Sequence, residues 1–203
     1  IVVHNGVDQL FLSSETSIKK KNYIFSASRF APKKGLDSII RIFNAHPQDN
    51  IFIAGVEKFQ AKKLSMYLGE NIVFLGPLDK EEIIKRLRFA KLTIIPSLIE
   101  PYGIFVAEAL CSGSPIVATN VGGIPEVVNI AKNKLNNSQK EIFDKWIKIV
   151  DPGVDSLWTG IKSILNNKSS FELYIALVHQ FRLEFSWGKK LNKFYSRLEY
   201  FEK

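Results

Sequence analysis

The feature that most constrains this chain is a regular alternation. Short, nearly continuous apolar runs take turns with segments whose apolar residues recur at helical spacing. Tyr23-Ile24-Phe25-Ser26-Ala27-Ser28 reads as a strand. Leu36, Ile39, Ile40 and Phe43 then mark a helix over 36–45. Further strands are expected at 51–54, 72–75, 92–95, 115–119 and 146–150, with helices at 58–68, 80–89 and 104–111 between them. Strands that are apolar on both faces belong in a parallel sheet covered by helices. Repeated strand–helix units with right-handed crossovers predict an α/β fold: a Rossmann-like, doubly wound parallel sheet. Three further helices are expected at 154–165, 171–185 and 187–201. The last carries Trp187, Leu191, Phe194, Leu198 and Phe201 as a packing stripe. The polar segment 129–145 has no convincing period and reads as a loop or a mobile stretch.

These elements divide the chain into an entrance linker (1–22), a core (23–166) and C-terminal helices (167–203), all one domain. Cys111 is the only cysteine, which excludes an internal disulfide and fits a reducing, cytoplasmic setting. Neither Cys111 nor the three scattered histidines form a metal-ligand pattern. The net charge of +8 is spread over small Lys groups. It suits phosphorylated ligands or a peripheral contact with an anionic membrane. No recognition-helix or RNA-binding signature accompanies it, so nucleic acid is not an expected partner.

In doubly wound sheets, ligands bind at the carboxyl ends of the strands, near the reversal of strand order. Several candidate residues fall at those ends. Arg29 follows the first strand, Gly55 the second, Gly76 the third and Glu100 the fourth. Arg29 offers a planar fork for two phosphate oxygens. Lys34 would open the next helix, where a cation opposes the helix dipole unless an anion is bound. For Lys33 and Lys34 the plainer alternative is simple surface exposure.

Glu100 and Glu108 are separated by seven residues in Glu100-Pro101-Tyr102-Gly103-Ile104-Phe105-Val106-Ala107-Glu108. Pro101 and Gly103 stop one element, and a helix begins at Ile104. Glu100 would hang on the loop, and Glu108 would lie about one turn inside the helix. The free N–H groups at Gly103, Ile104 and Phe105 would face the gap, forming an anion site between two hydroxyl acceptors. That suits a sugar joined to a phosphate. Glu108 alone could equally be a dipole partner for its helix. It sits in a stretch built for burial, where an unsatisfied carboxylate costs on the order of several kcal/mol. No Gly-x-Gly-x-x-Gly or Gly-Lys-Ser/Thr phosphate loop is present, which argues against a dinucleotide oxidoreductase or an ordinary nucleotide hydrolase.

Taken in order, these motifs resemble the C-terminal, donor-binding domain of retaining glycosyltransferases with the GT-B fold, in the large family-four group. They are His4-Asn5-Gly6-Val7-Asp8, Arg29 with Lys34-Gly35, Ile53-Ala54-Gly55 and Val73-Phe74-Leu75-Gly76-Pro77-Leu78. The Glu100–Glu108 pair, Pro115 through Thr119, Gly122-Gly123-Ile124-Pro125-Glu126 and Phe185-Ser186-Trp187 follow. The resemblance implies that Arg29 and Lys34 bind the donor diphosphate and stabilise the leaving group. It implies that Glu108 accepts bonds from ribose hydroxyls and that Glu100 holds hydroxyls of the donor sugar. Gly103, Ile104 and Phe105 would contact sugar and phosphate through their backbone, and the strand end from Gly76 to Leu78 would border the base.

The resemblance implies that no cofactor or metal is needed, since fixed cations and a helix end replace it, and the sequence agrees in having no Asp-x-Asp signature. The substrate would be a nucleotide diphosphate sugar. A glycan or lipid acceptor would be held by an N-terminal domain outside these 203 residues, so the chain by itself is expected to be inactive. A nucleotide-sugar epimerase and a noncatalytic nucleotide-sugar-binding module are alternatives of the same fold. The chain departs from the family pattern after Glu126, where 129–145 is rich in Lys and Asn and lacks Gly.

Overall fold

The structure is a computed structural model and describes residues 5–13, 15–17, 19–63 and 67–198. His4 lies outside them, as do the last residues of the C-terminal helix expected to reach 201. Six parallel strands form one sheet: β1 (Lys21–Ala27), β2 (Ile51–Ala54), β3 (Ile72–Gly76), β4 (Ala90–Ile95), β5 (Ile116–Thr119) and β6 (Ile147–Val150). Their order is β3-β2-β1-β4-β5-β6. The order reverses between β1 and β4, which places the crevice of a doubly wound sheet there. Ile24, Phe25, Ile51, Ile53, Leu92, Ile94, Ile116 and Val117 are buried between the helical layers.

Ten helices accompany the sheet among the described residues. They are α1 (Gln9–Ser13), α2 (Leu36–Ala45), α3 (Lys58–Ala61), α4 (Lys80–Phe89) and α5 (Ile104–Cys111), then α6 (Ile124–Lys132), α7 (Asn137–Trp146), α8 (Val154–Leu165), α9 (Phe171–Phe181) and α10 (Trp187–Leu198). Right-handed crossovers on either side of the reversal put α2 and α5 on opposite faces. α8 packs with α2, whereas α1, α4 and α6 pack with α5. α4 starts cleanly because the Asp79 side chain accepts the Glu82 N–H at 2.8 Å. Its first turn is acidic and its last basic, as the helix dipole favours.

Four expectations need correction. Segment 129–145 is not a loop: it holds the end of α6 and nearly all of α7. Ile124, Val127, Val128 and Ala131 form a buried helical stripe. Asn136 then caps α7, accepting from Gln139 N–H at 3.0 Å, while Gln139 Oε1 accepts from Asn136 N–H at 3.0 Å. Phe143 and Trp146 bury against the core on the far side of an otherwise polar helix.

The helix expected over 58–68 ends at Ala61. Residues 64–66 lie outside the description, and Tyr67 and Leu68 are not helical. Asn44 captures the backbone there, donating to the Tyr67 carbonyl at 3.2 Å and accepting from Gly69 N–H at 2.9 Å. The helix expected over 171–185 ends at Phe181 and finishes as a 3-10 turn, Arg182–Phe185. The stretch expected as a linker also carries structure. It includes α1, with Phe11 and Leu12 buried, and the first residues of β1.

Candidate functional site

The loops after β1 and β4 meet at the reversal of strand order. After β1, Pro32–Lys34 forms a 3-10 turn that ends at Gly35. Gly35 has φ of 66°, and a Cβ there would lie 1.9 Å from the Pro96 carbonyl oxygen, so only glycine fits this approach. The Lys33 carbonyl accepts the N–H groups of Leu98 at 2.8 Å and Ile99 at 3.2 Å. These bonds stitch the β1 loop to the β4 loop. They bring the Lys34 ammonium to 2.6 Å from Glu100 Oε2, with both side chains largely shielded from solvent. Ser97 Oγ adds a longer contact to the same oxygen at 3.4 Å.

The Glu100 backbone is fixed from the other side. Its carbonyl accepts Gly123 N–H at 2.9 Å, and a Cβ on Gly122 would sit 1.9 Å from that carbonyl oxygen. The Gly122-Gly123 turn is therefore part of what aims Glu100. Thr119 at the end of β5 donates its hydroxyl to the Ser97 carbonyl and holds the start of the same loop.

Gly103 caps α5 with its carbonyl, which accepts from Val106 N–H at 3.0 Å. The N–H groups of Gly103, Ile104 and Phe105 have no acceptor among the described residues. They form the open, electropositive end of a helix that begins four residues after Glu100. Arg29 is exposed at the end of β1 and has no partner among the described residues.

Glu108 lies on the first full turn of α5, among the buried residues Val106, Ala107, Ala109 and Leu110. Its carboxylate has no hydrogen-bond or ion-pair partner among the described residues. Burial pushes its carboxyl up to about 7, against the pull of Lys80, with a smaller upward push from Asp8. Gly55 N–H donates to the Gly76 carbonyl at 2.7 Å, tying the ends of β2 and β3 together. Leu78 follows, half-buried against the core.

The structure thus brings Lys34, Glu100 and the start of α5 into one cluster at the crevice. Glu108 lies one turn along that helix, and Gly55, Gly76 and Leu78 end the neighbouring strands. Sequence reasoning missed the roles of Ser97, Thr119, the Lys33 carbonyl and the Gly122-Gly123 turn. Their signals were present only as residue types, because each acts on a partner in another loop. It also gave no role to Asp8 and Lys80, which form an ion pair at 2.5 Å.

An open helix end and paired charges at the switch point of a parallel sheet lie where doubly wound α/β domains place their ligands. The family model for Glycosyl transferases group 1 matches residues 8–174, and the chain belongs to that family. An uncharacterized glycosyltransferase of Methanocaldococcus jannaschii is 27% identical over 187 residues, covering 82% of this chain and 45% of that protein. A solved glycosyltransferase from Rickettsia africae superposes with a TM-score of 0.75 at 19% identity, covering all of this chain and 57% of that one. An Anabaena protein solved in complex with UDP and glucose gives 0.71 at 17% identity, covering 98% of this chain and 56% of that one. The chain spans about half the length of these relatives. Its fold is the one they share, the Rossmann-like sheet of GT-B glycosyltransferases. Among the described residues, no helix is long and apolar enough to cross a membrane.

Proposed function

We propose that this chain is the donor-binding half of a retaining glycosyltransferase that uses a nucleotide diphosphate sugar. The observation that carries the reading is the Lys34–Glu100 pair, set beside the open N-terminus of α5. Lys34 and Arg29 hold the donor diphosphate, and the free N–H groups of Gly103, Ile104 and Phe105 donate to its oxygens as negative charge builds on the leaving group. Fixed donors aimed at developing charge are an efficient way to lower such a barrier. Glu100 then accepts from hydroxyls of the donor sugar, next to the reacting carbon. Glu108 accepts from the ribose, and the ends of β2 and β3 with Leu78 border the base.

The positive charge in this reading comes from side chains and a helix end, so transfer needs no resident metal. The acceptor, a glycan, lipid or small molecule, binds on the part of the relatives' length that this chain does not cover. Peripheral attachment to an anionic membrane fits the +8 charge and a lipid acceptor. The anomeric configuration of the product tests the reading. Full-length protein supplied with donor and acceptor should give product of the same anomeric configuration as the donor, at a rate unchanged by a chelator. The 203-residue chain should bind nucleoside diphosphate without transferring sugar. Inverted product, or transfer abolished by chelation, overturns the mechanism.

A further inference from the structure

The short loop from Glu100 to Gly103 sets both the Glu100 carboxylate and the open end of α5. Backbone bonds at Lys33 and Gly123 brace it. The Gly122-Gly123 turn also packs on Tyr102, since a Cβ on Gly123 would lie 2.5 Å from the Tyr102 carbonyl oxygen. A further contact has no part in the site as described so far. The Tyr102 hydroxyl donates to the Asn5 carbonyl at 2.9 Å, across 97 positions of the chain. That acceptor is itself held in place. Val7 N–H donates to the Phe185 carbonyl at 2.8 Å, and Val7 forms a parallel bridge with Ser186. Gly6 lies against the first residue of α10. A Cβ on it would be 2.7 Å from the Trp187 ring and 2.8 Å from the Trp187 backbone nitrogen, so any larger residue must move one of the two. Asp8 pairs with Lys80 at the start of α4. Residues 5–8 are thus fixed against the rest of the fold, and Tyr102 bonds them to the site loop.

We propose that Tyr102 is a positioning residue for Glu100: its hydroxyl ties the loop 100–103 to the segment 5–8, and the placement of that segment sets the aim of the Glu100 carboxylate. The inference rests on the sugar-side role of Glu100. Phenylalanine would fill the same space, so what tyrosine adds is one hydrogen bond. Such a bond between neutral groups contributes modestly to stability. Its effect on rate can be larger, because a reacting group misplaced by about 1 Å can lose roughly a hundredfold. Glu108 lies inside α5, beyond the loop, so the tie should leave ribose recognition alone.

The test has a ligand-free arm and a functional arm. In the ligand-free chain, Tyr102→Phe should speed amide hydrogen exchange at Gly123, whose N–H bonds the Glu100 carbonyl, by about threefold or more. Exchange at Thr93, bonded to the Pro115 carbonyl at the start of β5, should not change. In full-length protein, release of nucleoside diphosphate is followed from UDP-glucose, GDP-mannose or ADP-glucose, whichever the wild type consumes. Tyr102→Phe should lower kcat about tenfold and change KM less than about twofold. Tyr23→Phe loses a similar bond, to the Arg86 carbonyl at 3.1 Å, near the start of β1. It should cost as much in melting temperature and leave kcat unchanged. Gly6→Ala, which displaces the segment from Trp187, should also lower kcat. Combined with Tyr102→Phe it should be no slower than the slower single variant, because both act through one tie. An unchanged Gly123 exchange rate or an unchanged kcat in Tyr102→Phe overturns the proposal. So does an equal loss of kcat in Tyr23→Phe, the mark of general destabilisation, or fully additive losses from Gly6→Ala and Tyr102→Phe. Faster Gly123 exchange in a protein that consumes none of the three nucleotide sugars would leave the tie standing and sink the donor-site reading instead.

Discussion

The two glutamates of the site are chemically identical and lie in opposite conditions. Glu100 arrives on a loop braced from both sides and meets a lysine ammonium at 2.6 Å. Glu108, inside the helix that follows, is surrounded by apolar neighbours and meets no partner among the described residues. The Lys34–Glu100 end, which faces phosphate and sugar in the proposed reading, is thus preformed, its charges already paired. The Glu108 end, which faces ribose in that reading, holds an unmet need that a ligand can satisfy. A site built this way gains from binding at Glu108 and from exchange of partners at Lys34.

The largest expected effect breaks the preformed end. In full-length protein, Glu100→Gln should lower turnover by about a hundredfold, the scale of losing one preorganised polar contact in a transition state. Unchanged turnover would remove Glu100 from the sugar side. Next comes Lys34→Ala, which deletes a proposed phosphate ligand and strands a shielded carboxylate. Diphosphate affinity should fall by about 1.5–3 kcal/mol, and stability should fall as well. Adding Glu100→Gln to Lys34→Ala should recover stability but not affinity. Recovery of both would mean that the pair is only a structural salt bridge.

Glu108→Gln sharpens the other half of the comparison. The folded carboxyl titrates near 7, above the ordinary value of 4.5, so the folded chain binds more protons than the unfolded chain between those values. Stability therefore falls as pH rises through that window, by at most about 3 kcal/mol. Glu108→Gln should raise the melting temperature at about pH 8 and have no such effect near pH 4, while weakening ribose ligands. Wild-type affinity for those ligands should itself fall as pH drops below about 7. Arg29→Ala should have the smallest effect, a loss of about 1–2 kcal/mol in diphosphate binding with no change in stability, because the side chain is exposed and without a partner among the described residues. A drop in melting temperature would show a structural role instead.

Strands and most helices were legible because their signals are local. The apolar runs at 24–25, 51–53 and 92–95 and the spacing of Leu36, Ile39, Ile40 and Phe43 need no distant partner to be read. α7 was hidden because Ile142, Phe143 and Trp146 mark its core face only near its end, while its cap is two ordinary polar residues, Asn136 and Gln139. The non-helical backbone at Tyr67 and Gly69 is held by Asn44, which no window around residues 62–68 contains. In the site, residue types were visible but their pairings were not. Lys34 meets Glu100 across 66 positions, and Lys80 meets Asp8 across 72. Gly122 appeared as a turn glycine. Its reason for being glycine is the Glu100 carbonyl, more than 20 residues earlier.

One crossed titration tests the central contrast most directly. Wild type, Lys34→Ala and Glu108→Gln are each titrated with the nucleoside, its diphosphate and the 2′-deoxy diphosphate, in the uridine, guanosine and adenosine series. Lys34→Ala should erase most of the advantage of diphosphate over nucleoside and leave the ribose preference intact. Glu108→Gln should erase the ribose preference and leave the diphosphate advantage. If either substitution weakens all three ligands equally, the two ends of the site are not what their surroundings indicate, and the donor-site assignment is wrong.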